Sequence, residues 1–191
     1  KVLPFRFISA AKYVPNLEHV LEKAMLKSLA GFEKLPGKTA IVVDNSGSMD
    51  WGNVSEKSDI TRSDAACALA MMVREICEDC VVIGFGSTAA VIPARQGFAL
   101  RDAIKRGPGG GTNTEDAIQL ANKEGYDRII VITDEQSHQT ISKPKGKGYI
   151  INVATYQNGI GYGQWTHIDG WSESILKYIQ AVEGFAVDTV E

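Results

Sequence analysis

The chain has no block of consecutive basic residues. Its Lys and Arg are scattered, with Lys143, Lys145 and Lys147 as the densest stretch, and the formal net charge is -3. The electrostatic footprint of a nucleic-acid binder is therefore missing, and this piece alone is not expected to hold RNA or DNA tightly. No apolar stretch approaches the roughly 18 residues of a membrane span, and the opening Lys1-Val2-Leu3-Pro4 shows neither a signal h-region nor a cleavage pattern, so no membrane role is expected. Cysteine is scarce as well. The odd set Cys67, Cys77 and Cys80 argues against a secreted disulfide framework, and a cytoplasmic location fits best. A start without Met points to an excised piece or a processed product.

What remains is enough for one core. A chain of 191 residues with 44% apolar and 23% charged content is expected to form a single domain with a short appendage, and a monomer is the simplest expectation. Apolar positions near helical spacing from Leu17 to Leu29 predict an amphipathic helix, broken by Leu35-Pro36-Gly37-Lys38. The apolar run Thr39–Val43 then reads as a strand buried on both faces. A long helix is predicted over Thr61–Glu78, with Thr61 as N-cap and Asp64 three residues on. Cys80–Phe85 is the second strand; the turn at Gly86-Ser87 and the short run Ala89–Pro93 make a hairpin, with Pro93 fitting an edge. Helices over Ala99–Lys105 and Thr114–Glu124, strands over Arg128–Thr133, Gly148–Thr155 and Trp165–Ile168, and a helix over Ser172–Val182 complete the order. Strands alternating with helices predict an open, doubly wound α/β sheet, mostly parallel, with helices on both faces and one antiparallel edge strand.

In such sheets ligands gather at the carboxyl ends of strands, where Asp44 and Asp134 fall. Asp44, Ser46 and Ser48 alternate on a loop leaving the first strand, so their oxygens can converge while Gly47 permits a tight turn. Thr112 offers another hydroxyl from a loop rich in glycine, Gly107 and Gly109 to Gly111, and Asp134 closes the set. Two carboxylates and three hydroxyls suit a hard ion: Mg²⁺, with Mn²⁺ or Ca²⁺ as alternatives. So few ligands leave a coordination position for a partner's carboxylate or a phosphate oxygen.

Asp44-x-Ser46-x-Ser48, Thr112 and Asp134 resemble the metal-ion-dependent adhesion site (MIDAS) of von Willebrand factor A (vWA) domains, over about residues 38 to 183. That resemblance implies a Rossmann-like fold, hydroxyls that bind the ion directly, aspartates that bind it directly or through water, and an acidic residue from a protein partner to complete the shell. Pro4-Phe5-Arg6-Phe7-Ile8-Ser9-Ala10-Ala11, the following helix, and Leu35-Pro36-Gly37-Lys38-Thr39 running into Val42 to Met49 resemble the C-terminal part of the Ro (TROVE) ribonucleoprotein family. This implies that residues 1–36 are a helical segment, the remnant or junction of a helical-repeat ring, and residues 37–191 the A-like domain. It also implies that small noncoding RNA is bound by that ring in the full-length protein rather than by this piece.

Other readings of the same residues are weaker. An EF-hand would need Gly where Met49 stands and Glu where Ser55 stands. No glycine stands at the spacing a phosphate loop requires before a Lys-Thr or Lys-Ser pair. Cys77-Glu78-Asp79-Cys80 sits where a helix ends and a strand begins, the wrong dipole end for a reactive thiol, and no second ligand pair is spaced for zinc; structural, buried cysteines are expected. Trp51 is read either as a partner contact or as part of a satellite core. Gly159 to Trp165 reads as a surface loop, and His19 and His167 have no visible partner. The alternative function is a Mg²⁺-dependent phosphohydrolase with Asp44 as nucleophile. It would want a second Asp where Ser46 stands, a lysine near the site, and a base, for which Glu135 and His138 are the nearby candidates. The protein is therefore expected not to be an enzyme.

Overall fold

The apolar runs form the inner strands of one sheet because each buries both faces. The computed structural model describes residues 4–135, 140–154 and 163–184. Helices α1 (Pro4–Ala11) and α2 (Glu18–Leu29) lead into β1 (Leu35–Asp44), followed by α3 (Gly47–Trp51), α4 (Arg62–Ile76), β2 (Cys77–Phe85) and β3 (Ala89–Val91). Then come α5 (Gly97–Lys105), α6 (Thr114–Glu124), β4 (Arg128–Thr133), β5 (Lys147–Asn152), β6 (Thr166–Asp169) and α7 (Ser174–Val182). The strand order is β3-β2-β1-β4-β5-β6, with β3 antiparallel to β2 and every other pairing parallel. The expected mostly parallel α/β sheet with one antiparallel edge strand is what the chain forms.

Alternate residues of the inner strands enter two cores, as a period of two requires. Ile41, Val43, Ile130, Ile132 and Ile151 face the larger core, which α1, α2, α4, α5 and α7 cover. Ala40, Val42, Ile129, Val131 and Ile150 face the smaller core under Ala117, Ile118 and Ala121 of α6. The middle of β1 is wholly enclosed. Helix α4 carries an almost continuous buried surface and is capped by Thr61, whose hydroxyl accepts from the Asp64 N–H at 3.0 Å. Ala11, Met25 and Leu29 of the first two helices belong to the same core as the sheet.

Two local expectations differ from the structure. Leu35 to Lys38 does not end before the sheet; it is already β1, with a register irregularity between Leu35 and Lys38. Pro36 has no N–H to give the ladder, and the Lys38 N–H donates instead to Asp127 Oδ2 at 2.8 Å. Residues 4–11, within the segment expected to be helical, form helix α1. Ser48 lies not on an open loop but on α3, for which Ser46 stands as N-cap. His138, Thr155, Gly159 to Tyr162 and the outermost parts of both expected segments lie outside the described residues. Among the described residues no helix is long and apolar enough to cross a membrane.

Candidate metal centre

Parallel pairing of β1 and β4 sets Val43 beside Ile132, which carries Asp44 and Thr133 to the same carboxyl edge of the sheet. Asp44 is 1% exposed and both of its oxygens are engaged. Oδ1 accepts the Ser46 N–H at 2.9 Å, and Oδ2 accepts the Thr133 hydroxyl at 2.6 Å. The Ser46 and Ser48 hydroxyls lie 3.2 Å apart, Ser46 buried and Ser48 half-buried. Asp134, the residue after β4, is fully enclosed and pairs with Arg62 Nη1 at 2.9 Å.

The glycine loop is docked beside these groups by its backbone. The Gly47 N–H donates to the Gly110 carbonyl at 2.9 Å, Ser46 pairs with Gly110 as an isolated bridge, and Asn45 Nδ2 donates to the Pro108 carbonyl at 3.2 Å. On its other side the Ser87 N–H donates to the Gly109 carbonyl at 2.9 Å. A Cβ on Gly86 would lie 2.3 Å from that same carbonyl oxygen, so no larger residue fits between the two turns. The close approach that the glycines allow is thus to the protein's own backbone. Thr112, half-buried, follows this anchored stretch and precedes Asn113, which caps α6.

Burial dominates the electrostatics. It pushes the Asp44 carboxyl up to about 6, against the hydrogen bonds from Ser46 and Thr133 and with added repulsion from Asp134. A buried carboxylate raised this far is short of positive charge, which a cation at its free lone pairs would supply. Among the described residues no cluster of three or more His, Cys, Asp or Glu could hold a metal, so any ion here depends on the hydroxyls as much as on the carboxylates. That donor chemistry, all oxygen, suits Mg²⁺, Mn²⁺ or Ca²⁺ and not zinc.

Sequence reasoning did not foresee three contacts of the site. Thr133 bonds Asp44, and Arg62 pairs with Asp134. Glu135 adopts a left-handed backbone (φ 55°), its N–H bonds Thr133 Oγ1 at 3.1 Å, and its carboxylate meets His167 Nδ1 at 3.0 Å. Burial raises the Glu135 carboxyl, and the His167 ring opposes that shift. His167 therefore does have a partner, one invisible in sequence because β6 brings it alongside. Trp51, the last residue of α3, is 92% exposed and belongs to no core. Of the C-x-x-C pair, Cys77 is buried, with its thiol pushed up by burial to about 11, whereas Cys80 is only partly buried; neither is in a disulfide.

A family model described as the Ro60 vWA domain matches residues 38–146. Among solved structures, the crystal structure of the Ro (RSR) protein of Deinococcus radiodurans resembles the chain with a TM-score of 0.67 at 18% sequence identity. The likeness covers 87% of this chain and 38% of that one, so the chain spans well under half of that protein, and at this identity the likeness is one of fold. A comparison with curated proteins gives no match.

Proposed function

Because the chain belongs to the Ro60 vWA domain family, we propose that it is a binding module of a Ro-like protein, holding a divalent cation and presenting it to an acidic group on a protein partner. Asp44, Ser46, Ser48, Thr112 and Asp134 would hold the ion, with Mg²⁺ favoured over Mn²⁺ or Ca²⁺. The observation that carries this reading is the enclosed Asp44 carboxylate beside two serine hydroxyls 3.2 Å apart at the carboxyl edge of the central strands. The ion would supply a Lewis-acidic position for a carboxylate oxygen. No catalytic step is needed, and noncoding RNA would be held by other parts of the longer protein, in the cytoplasm.

The test is a thermal melt in EDTA and then in millimolar Mg²⁺, comparing the parent with Asp44→Asn. Binding to the native state alone stabilises by about 2.7 kcal/mol at a hundredfold excess over Kd. A metal-dependent rise in the parent that is lost in Asp44→Asn supports the reading; no rise in the parent overturns it. The same protein with Mg²⁺ should release no phosphate from an aryl phosphate, and release would favour the phosphohydrolase instead.

A further inference from the structure

Resting on the metal-site reading above, we propose that Arg62 is a built-in counter-ion that occupies Asp134 and lowers the site's affinity for divalent cations. The guanidinium lies 2.9 Å from Asp134 Oδ2, with the Arg side chain 9% and the Asp side chain 0% exposed. It is held there by a short ladder that returns the chain from α3. Asn53 pairs with Thr61, the Val54 N–H donates to the Ile60 carbonyl at 3.0 Å, and the Arg62 N–H donates to the Gly52 carbonyl at 2.9 Å.

Gly52 is the C-cap of α3, the helix that carries Ser48. A Cβ there would stand 2.4 Å from Arg62 Cζ and 2.6 Å from Nε, so the guanidinium packs directly on the glycine backbone. One side chain thereby ties the helix bearing a site hydroxyl to the aspartate at the end of β4.

The consequence follows from charge. Asp44 and Asp134 together offer a cation two negative charges; with Arg62 in place the three side chains sum to one. Arg62 also uses lone pairs of Asp134 Oδ2 that a metal would need, so an arriving ion must share or displace a guanidinium in a site with little water to screen it. The same pair offsets the buried charge of Asp134 when no ion is bound. Arg62 is in this sense a positioning residue that sets how tightly the site takes metal and lets the domain stay folded without it.

The test measures the Kd for Mn²⁺ by the electron paramagnetic resonance signal of the free ion, in the parent, in Arg62→Gln and in Gly52→Ala. Gly52 has φ -111°, which alanine adopts freely, so Gly52→Ala displaces the guanidinium without changing any charge. Circular dichroism selects variants that fold. Arg62→Gln should bind Mn²⁺ on the order of tenfold more tightly, a change of about 1.4 kcal/mol, and Gly52→Ala should shift the same way by a smaller factor. Either folded variant binding equally or more weakly than the parent overturns the proposal while leaving the metal site intact. No binding by the parent or by any variant instead overturns the metal-site reading on which it rests.

Discussion

The Thr133 hydroxyl donates to Asp44 Oδ2 at 2.6 Å across the β1–β4 pairing, in a site where both residues are enclosed. It also accepts the Glu135 N–H at 3.1 Å, so one hydroxyl ties the first carboxylate of the site to the backbone that follows the second. Thr133→Val should therefore cost about 1.5–3 kcal/mol, the range for a hydrogen bond to a charged group. Thr112→Val, at a half-buried loop position, should change the metal-free stability by less than about 0.5 kcal/mol while weakening the response to Mg²⁺. Urea denaturation with and without Mg²⁺ separates the two threonines. Equal losses in EDTA would contradict the assignment.

How far the sequence discloses this site depends on how local each contact is. Asp44, Ser46 and Ser48 are legible because their oxygens meet within one turn of chain, as in the Ser46 N–H to Asp44 bond. The two inner strands β1 and β4 are legible because burial on both faces leaves an unbroken apolar run. The Arg62–Asp134 pair is not, since it spans 72 residues, and neither is the bond from Thr133 to Asp44, which spans 89. His167 finds Glu135 only through the pairing of β5 with β6. Helix α3 is too short at 5 residues to show a period, and it turns an expected loop into the helix that presents Ser48.

At the opposite end of the sheet, Glu183 joins α7 to β4 and β5. Its carboxylate accepts from Arg128 Nε at 2.5 Å, from Lys147 Nζ at 2.9 Å and from the Tyr149 hydroxyl at 2.9 Å. The side chains of Arg128 and Glu183 are 3% and 1% exposed, so Glu183→Gln leaves a buried guanidinium under-compensated and should destabilise by about 3–5 kcal/mol. Although burial opposes ionisation, these donors and the Arg128 charge hold the Glu183 carboxyl down at about 2. A depressed carboxylate stabilises the fold above its unfolded pKa near 4.5, and this contribution should disappear as pH falls from there toward 2. Denaturation of parent and Glu183→Gln between pH 2 and 7 should show the two converging at the acid end.

Trp51 offers a control on the same face as the site. At 92% exposure its removal should shift stability by less than about 0.5 kcal/mol, and the Mg²⁺-dependent rise should survive in Trp51→Ala. A larger loss would mean that the indole packs in solution against something the fold leaves open.

The proton and the metal should compete for Asp44, with a sign that runs against the usual carboxylate. Burial lifts this carboxyl from 3.8 to about 6, so between those values the native state binds a proton that the unfolded chain has released. The slope of stability with pH is then negative for this group: its contribution declines as pH rises through the window from about 4 to about 6, by on the order of 2–3 kcal/mol in total. Other carboxylates, Glu183 among them, slope the opposite way at lower pH, so the parent alone does not isolate the effect. The difference between parent and Asp44→Asn does, because asparagine keeps the shape and loses the titration. In EDTA the parent should lose stability relative to Asp44→Asn on going from pH 4 to pH 7. Since ligation needs the carboxylate free of its proton, the melting-temperature rise on adding Mg²⁺ should be small at pH 5 and larger at pH 7.5 in the parent, and absent at both in Asp44→Asn. A rise that is equal at the two pH values would show that Asp44 is ionised throughout and that burial does not control its charge.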